Sequence, residues 1–457
     1  MLKFETDSRL IKPGQTFVAI KGHTVDGHDF INKAIENGAI KIIAEHNVDC
    51  SVPVEVVDNS EMYLREELKK LYSSDINDKL KIIGVTGTNG KTTTCYLTYQ
   101  FLKKLNVKVG YLGTIGFFYN DKVIHTENTT PDTLTLYKLF TEAIKDGIET
   151  IVMEVSSHSL AFDRMHGLHI DIGAFTNLTE DHLDYHKTFE NYLNCKLKIF
   201  DLMEENGKFV INSDDSYAKY FVDKATNPIT IGYNGDYRIL DFKTSAGDTN
   251  IKISYENEQY DIHTLLVSKF NVYNFLTALA LVHAYGFEIK DILKFQESVE
   301  PPKGRCQTIK VNNGFAVIDY AHTPDAVEKV ITAYNNLKQN RVITIVGCGG
   351  DRDPIKRPIM GNIATKLSDY TILTSDNPRT EDPQNIMNDI LKGVKTDNYE
   401  VILDRKSAIK KAIDIMEPND IVLILGKGHE DYQIIGHTKI HLDDAEEVEN
   451  WKKEHNE

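Results

Sequence analysis

The sequence is poor in the residues that build disulfide or zinc scaffolds. Its five cysteines, Cys50, Cys95, Cys195, Cys306 and Cys348, stand far apart and form no CxxC pair. That argues against a disulfide framework or a zinc–cysteine site and fits a reducing compartment. Long apolar runs are missing too. No stretch reaches the roughly 18 residues that a membrane-spanning helix needs. The opening MLKFETDSRLIKPG lacks the apolar core of a signal peptide, so a cytoplasmic protein is expected. Positive charge is also scarce: 52 Lys and Arg stand against 68 Asp and Glu, a net −16. Nucleic acid as the main partner would need a basic surface. A small anionic ligand needs only a few placed cations and helix N-termini.

What is present suits a large α/β protein. Of the 457 residues, 41% are apolar, with aromatics spread along the whole length. That is enough for about three domains of roughly 150 residues. Residues 1–78 read as a small α/β unit, with strands in QTFVAIKG and IKIIAEH and a helix between them from Asp29 to Gly38. The polar SSDINDKL, Ser73 to Leu80, reads as a linker. A second unit over 79–302 opens on KIIGVTG and carries further buried-strand runs, ETIVMEV and IGAFTNL, separated by helical patterns. That alternation predicts a parallel sheet. Pro301-Pro302-Lys303-Gly304 marks the next boundary. Over 303–457 the runs FAVIDYAH, RVITIVGCGGD, YTILTSDNPR and DIVLILGKGHE each lead from a strand into a polar or Gly-rich loop. This is the doubly wound, Rossmann-like pattern, which gathers ligand groups at the carboxyl ends of strands. Gly347-Cys348-Gly349-Gly350 lacks the spacing of a GxGxxG dinucleotide fingerprint.

The sharpest local signal is Gly84-Val85-Thr86-Gly87-Thr88-Asn89-Gly90-Lys91-Thr92-Thr93, between a strand and a helix expected over Thr94 to Leu105. Glycines let backbone N–H groups turn toward a phosphate, the lysine reaches the β and γ phosphates, and a following hydroxyl meets Mg²⁺. The competing reading is a Gly-rich turn that only caps a helix. Val85 stands where the general P-loop pattern has Gly. In that departure, GTNGKT resembles the Mur ligases and their relatives the folylpolyglutamate synthetases.

Further motifs follow the Mur order along nearly the whole chain. Glu154, in MEVSSH, and His182, in NLTEDHLDYH, each follow a strand run. A carboxylate suits a hard cation beside phosphates, and the resemblance adds His182 and Thr92 as metal contacts. Read alone, Glu154 could cap a helix, and His182 with His186 has the spacing of a zinc pair. Lys196, in NYLNCKLKIF, matches the lysine that Mur ligases carry as an N-carbamate (N6-carboxylysine), which would sit beside Mg²⁺ as an anion. Lys91, Glu154, His182 and Lys196 form the implied catalytic set.

The resemblance implies that Gly87, Thr88, Asn89, Gly90, Lys91, Thr92, Thr93, Asn274, Arg305 and Asp319 bind ATP. It assigns the UDP-linked precursor to Ser8, His23, Thr24, Val25, Asn128, Thr129, Thr130, Ser156 and Arg164. It assigns the incoming amino acid to Arg352, Asp376, Asn377, Pro378, Arg379, Gly426 and Glu430. Phe162, Ser268 and Gln307 depart from residues common in the family. Asp376-Asn377-Pro378-Arg379 matches the DNPR motif of the Mur ligases that add meso-diaminopimelate. A fixed guanidinium takes that amino acid's second carboxylate in a bidentate pair. The implied reaction is ATP- and Mg²⁺-dependent addition of meso-diaminopimelate to UDP-N-acetylmuramoyl-L-alanyl-D-glutamate through an acyl phosphate, by a monomer. The same ligation with L-lysine, a folylpolyglutamate synthetase-like ligase, and a nucleotide-holding module without ligase chemistry are the alternatives.

Overall fold

A computed structural model describes residues 2–22 and 25–456. His23 and Thr24, two of the residues expected to meet the precursor, lie outside the described residues. Contacts divide the chain into two compact units. One runs to Thr230 and includes Ala280–Gly286; the other holds Ile231–Leu279 and the chain from Phe287 onward.

The first unit begins with a parallel sheet whose strands lie in chain order, Phe4–Glu5, Thr16–Val18, Lys41–Ala44 and Val54–Val56. Its small core includes Phe17, Ile31 and Ile42. The segment read as a linker is helical: Ser74–Lys79 forms a helix. Ile76 and Leu80 enter the same core as Leu134, Tyr137 and Phe140. The polar sequence hid this because only one face of the helix is buried.

The main sheet of this unit runs in the order Met203–Asn212, Ile170–Phe175, Lys81–Thr86, Thr150–Glu154, Val109–Gly113, Gly116–Tyr119 and Lys122–Ile124. The first five strands pair in parallel. The last two are antiparallel additions. Its central strand, Lys81–Thr86, is buried from Ile82 onward, as the near-continuous apolar run requires of a strand covered on both faces. The carboxyl ends of Lys81–Thr86, Thr150–Glu154 and Ile170–Phe175 therefore fall side by side.

The second unit contains a sheet in the order Gln307–Val311, Gly314–Asp319, Ile421–Leu425, Val342–Val346, Tyr370–Leu373 and Tyr399–Val401. All neighbours are parallel except the first pair. The strand Ile421–Leu425 shows why both faces are covered. Ile421, Leu423 and Leu425 pack with Val327, Ile331 and Met360 on one side. Val422 and Ile424 pack with Ile409, Ile413 and Trp451 on the other. This is the expected doubly wound arrangement. Antiparallel strands Tyr237–Thr244, Thr249–Tyr255 and Glu258–Thr264 also belong to this unit.

Candidate active site

In the first unit the phosphate loop leaves the central strand at Thr86 and enters the helix Lys91–Lys104 through Gly90, whose φ is 85°. The helix starts at Lys91, three residues before the sequence suggested, so its first N–H groups face the loop. Gly87 has φ 147°, and a Cβ there would meet Thr176 Oγ1 at 1.9 Å. The loop is laced to the end of the neighbouring strand. Asn177 O accepts from Thr88 N–H at 2.8 Å. The Asn177 side chain accepts from Asn89 N–H and donates to Asn89 O, each at 3.0 Å.

Lys91 Nζ donates to Gly87 O at 2.9 Å and Thr88 O at 2.8 Å. Lys196, on the helix Phe189–Leu197, is 1% exposed and donates to the same Gly87 O at 2.8 Å. Two ammonium ions on one buried oxygen would repel strongly. Burial first, and then the Lys91 charge, push the Lys196 amine well below the ordinary lysine value of 10.5. It is therefore biased toward its neutral form. The Tyr192 ring lies 4.6 Å from Lys196 Nζ, and the Tyr192 hydroxyl is 3.1 Å from Thr88 Oγ1.

Glu154 ends the strand Thr150–Glu154 and is 1% exposed. Its Oε1 accepts from the Tyr111 hydroxyl at 2.7 Å and from Thr114 N–H at 2.8 Å. Its Oε2 accepts from Thr92 Oγ1 at 3.0 Å and from Thr114 Oγ1 at 3.2 Å. The carboxylate oxygens of Glu154 and the hydroxyl of Thr92 suit a hard cation such as Mg²⁺, which takes few protein ligands and keeps its water and phosphate oxygens. His182 has φ 53° and an exposed side chain, and its ring packs edge-on to His158 with centroids 4.9 Å apart. His186 is buried, with Nε2 3.1 Å from Ser157 Oγ. Among the described residues no group of three or more His, Cys, Asp or Glu is arranged to hold a metal ion.

The NTTP segment abuts this carboxylate. Thr130 is fully buried and donates to Glu154 O at 2.8 Å. Thr129 Oγ1 lies 3.1 Å from Thr114 Oγ1, and Arg164 donates to Thr130 O at 2.7 Å. Ser156 accepts from Ser159 N–H as the cap of a short helix. Asn128 is exposed. The Phe162 departure supplies a ring 5.7 Å from the Arg164 guanidinium. Farther along the unit, Ser8 is buried and Val25 exposed.

In the second unit the loops after four parallel strands converge. A cavity of about 350 Å³ is lined by residues that include Arg352, Asp376, Arg379, Gly426, Glu430 and Tyr432. Asn377 Nδ2 donates to Glu430 Oε2 at 2.8 Å, and Asn377 Oδ1 accepts from Ile434 N–H at 2.9 Å. Pro378 is buried beside them. Arg379 has φ 52°, its N–H donates to Ile434 O at 2.9 Å, and its guanidinium donates to Gly350 O at 2.8 Å. Gln433 donates to Asp376 O at 2.6 Å, so the hairpin Tyr432–Ile435/Thr438–His441 splints the whole motif. Arg352 is exposed on its loop. The same loop's Asp351 accepts from Thr380 Oγ1 at 2.8 Å. Lys427, fully buried, ion-pairs Glu430 at 3.4 Å.

The expected nucleotide contacts of this unit are also structured. Asp319 accepts from Cys306 N–H at 2.8 Å and Ala321 N–H at 2.9 Å. The Arg305 guanidinium lies 4.9 Å from the Tyr320 ring. Neighbouring His429 is held down to about 4 by burial, then by Arg305 and Lys303. The Gln307 departure accepts from Gly304 N–H at 3.0 Å and so closes the turn. Asn274 is buried and donates to Asn271 at 2.9 Å. Ser268 has φ 92°, the left-handed region where glycine is at ease.

Sequence reasoning missed Tyr111, Thr114, Asn177, Tyr192, Lys427 and Gln433. Asn177 stands directly after a strand and Lys427 lies inside GKGHE; the others reach the site through the fold.

The chain matches three family descriptions in succession. Residues 4–80 match "Mur ligase family, catalytic domain", residues 85–282 "Mur ligase middle domain", and residues 304–428 "Mur ligase, glutamate ligase domain". The UDP-N-acetylmuramoyl-L-alanyl-D-glutamate–2,6-diaminopimelate ligase of Clostridium botulinum (strain ATCC 19397 / Type A) is 41% identical over 99% of this chain and 95% of its own length. The Fusobacterium nucleatum subsp. nucleatum protein of that name is 44% identical over 97% of this chain and 92% of its own length. A solved structure of a ligase with the same name aligns with a TM-score of 0.73 and 32% identity, covering 99% of this chain and 95% of that one.

Proposed function

Since the chain belongs to the Mur ligase family, we propose that it joins meso-diaminopimelate to the D-glutamate of UDP-N-acetylmuramoyl-L-alanyl-D-glutamate, using ATP, in peptidoglycan precursor synthesis. The observation that carries this reading is the full-length relationship to diaminopimelate ligases, joined to a cavity that displays Arg352 and Arg379 beside Asp376 and Glu430. Meso-diaminopimelate carries two carboxylates and two ammonium groups, and the cavity offers the cations Arg352, Lys356 and Arg379 and the anions Asp376 and Glu430 to meet them. L-lysine leaves one guanidinium without a partner, which costs binding.

The chemistry runs through a phosphorylated carboxylate. ATP gives its γ-phosphoryl group to the D-glutamate carboxylate, forming an acyl phosphate and ADP. The diaminopimelate amine then attacks the carbonyl carbon, the amide forms, and inorganic phosphate leaves. Lys91 and the N–H groups at the start of its helix hold the phosphates. Thr92 and Glu154, with His182 and a carbamate on Lys196, would hold Mg²⁺. When bound, Mg²⁺ offsets phosphate charge so that an anionic carboxylate can approach. The neutral bias of Lys196 supports the carbamate, because the unprotonated amine adds to CO₂ and releases one proton. The carbamate also sets an anion beside the Lys91 ammonium, an attraction that the neutral amine lacks.

Ser8, Val25, Asn128, Thr129, Thr130, Ser156 and Arg164 belong to the precursor site. Asn274, Arg305 and Asp319, in the second unit, are assigned to ATP by the family resemblance. We assign three functional domains, over 1–78, 79–302 and 303–457. Among the described residues no helix is long and apolar enough to cross a membrane; the use of ATP and a nucleotide-linked precursor points to the cytoplasm. The test is phosphate release with precursor and ATP, comparing meso-diaminopimelate with L-lysine and identifying the product by mass. The diaminopimelate tripeptide is expected. A saturating preference for lysine would overturn the assignment.

A further inference from the structure

Glu154 is held unevenly. Its Oε1 takes the Tyr111 hydroxyl at 2.7 Å and the Thr114 N–H at 2.8 Å. Its Oε2 takes only the hydroxyls of Thr92 and Thr114, at 3.0 and 3.2 Å. The Oε2 partners can rotate their protons away and offer lone pairs instead. The Oε1 partners cannot do so as readily. One is a backbone amide. The other is a tyrosine whose ring is fully buried and stacked on Phe118, with centroids 5.5 Å apart. Tyr96 meets the same ring edge-on at 5.8 Å. The strand leaves room for the pair at Gly113, where a Cβ would meet Glu154 Oε1 at 2.2 Å and the Tyr111 hydroxyl at 2.3 Å.

We propose that Tyr111 is a positioning residue for the cation site: with Thr114 N–H it anchors Oε1, and so presents Oε2, on the Thr92 side, to the metal. The proposal rests on the reading of Glu154 as a cation ligand. Outer-shell partners of this kind typically change metal affinity 10–100-fold. Tyr111 acts through Glu154. It fixes the carboxylate rotation and leaves the donor set unchanged.

The test uses the full-length enzyme with ADP and Mn²⁺ as the probe, reading free Mn²⁺ by electron paramagnetic resonance. Tyr111→Phe is expected to weaken Mn²⁺ binding at least tenfold. Metal-free ADP affinity should stay within about twofold, and the Mg²⁺ requirement should shift to higher concentration with kcat largely recovered at saturation. Gly113→Ala, which intrudes on the same two oxygens, is expected to reproduce the Mn²⁺ defect. Glu154→Gln separates the two ideas. If Glu154→Gln weakens Mn²⁺ binding but folded Tyr111→Phe binds as tightly as the parent, the positioning role is wrong. If Glu154→Gln also leaves the affinity unchanged, the cation reading of Glu154 fails and the proposal falls with it.

Discussion

Lys196 is the residue whose environment says most about the chemistry. It is 1% exposed and shares the Gly87 carbonyl with Lys91 at 2.8 and 2.9 Å. Its native pKa is depressed below 10.5. Between those two values the unfolded chain holds a proton here that the native chain lacks, so stability rises with pH across that window and falls as pH drops through it. Lys196→Met, measured by urea unfolding in CO₂-free buffer across that window, should flatten the slope and lose ligase activity. An unchanged slope would mean that the native amine is charged. Arg379 makes the complementary point in the other unit. Arg379→Ala should raise the KM for meso-diaminopimelate about 100-fold, close to 3 kcal/mol for a lost bidentate charge pair. The KM for ATP should hardly move.

At the scale of elements, each site is a strand end stabilised by its neighbour. The phosphate loop is tied to the strand end at Asn177, 88 positions away, through two bonds of 3.0 Å. Asn177→Ala should therefore raise the KM for ATP about tenfold, consistent with a loss of roughly 1–2 kcal/mol. The melting temperature should fall modestly, and both are readable by steady-state kinetics and calorimetry. Elements also mark how far the sequence could be read. GTNGKT, DNPR and GKGHE were legible because each is contiguous and each follows a strand. Tyr111 and Tyr192 were not, because sheet pairing brings Tyr111 to Glu154 and packing of the helix Phe189–Leu197 brings Tyr192 to Thr88, across separations of 43 and 104 residues. The helix Ser74–Lys79 passed for a linker because its surface is polar and its burial rests on Ile76 and the following Leu80. The parallel order of the main sheets was legible from continuous apolar runs. The two antiparallel strands Gly116–Tyr119 and Lys122–Ile124 were not, since short edge strands carry little periodicity.

For the molecule as a whole, an acidic chain of net charge −16 must handle a triphosphate and two carboxylate substrates. It does so by placing cations locally: Lys91 at the phosphate loop of one unit, Arg352 and Arg379 in the cavity of the other. Everything in the proposed reaction turns on activation of the precursor carboxylate by phosphoryl transfer before the amide forms. Precursor labelled with ¹⁸O in both oxygens of the D-glutamate side-chain carboxylate tests it most directly, with released phosphate and product analysed by mass spectrometry. Transfer through an acyl phosphate leaves one ¹⁸O in each phosphate released and one in the new amide. Unlabelled phosphate released alongside stoichiometric tripeptide would contradict it.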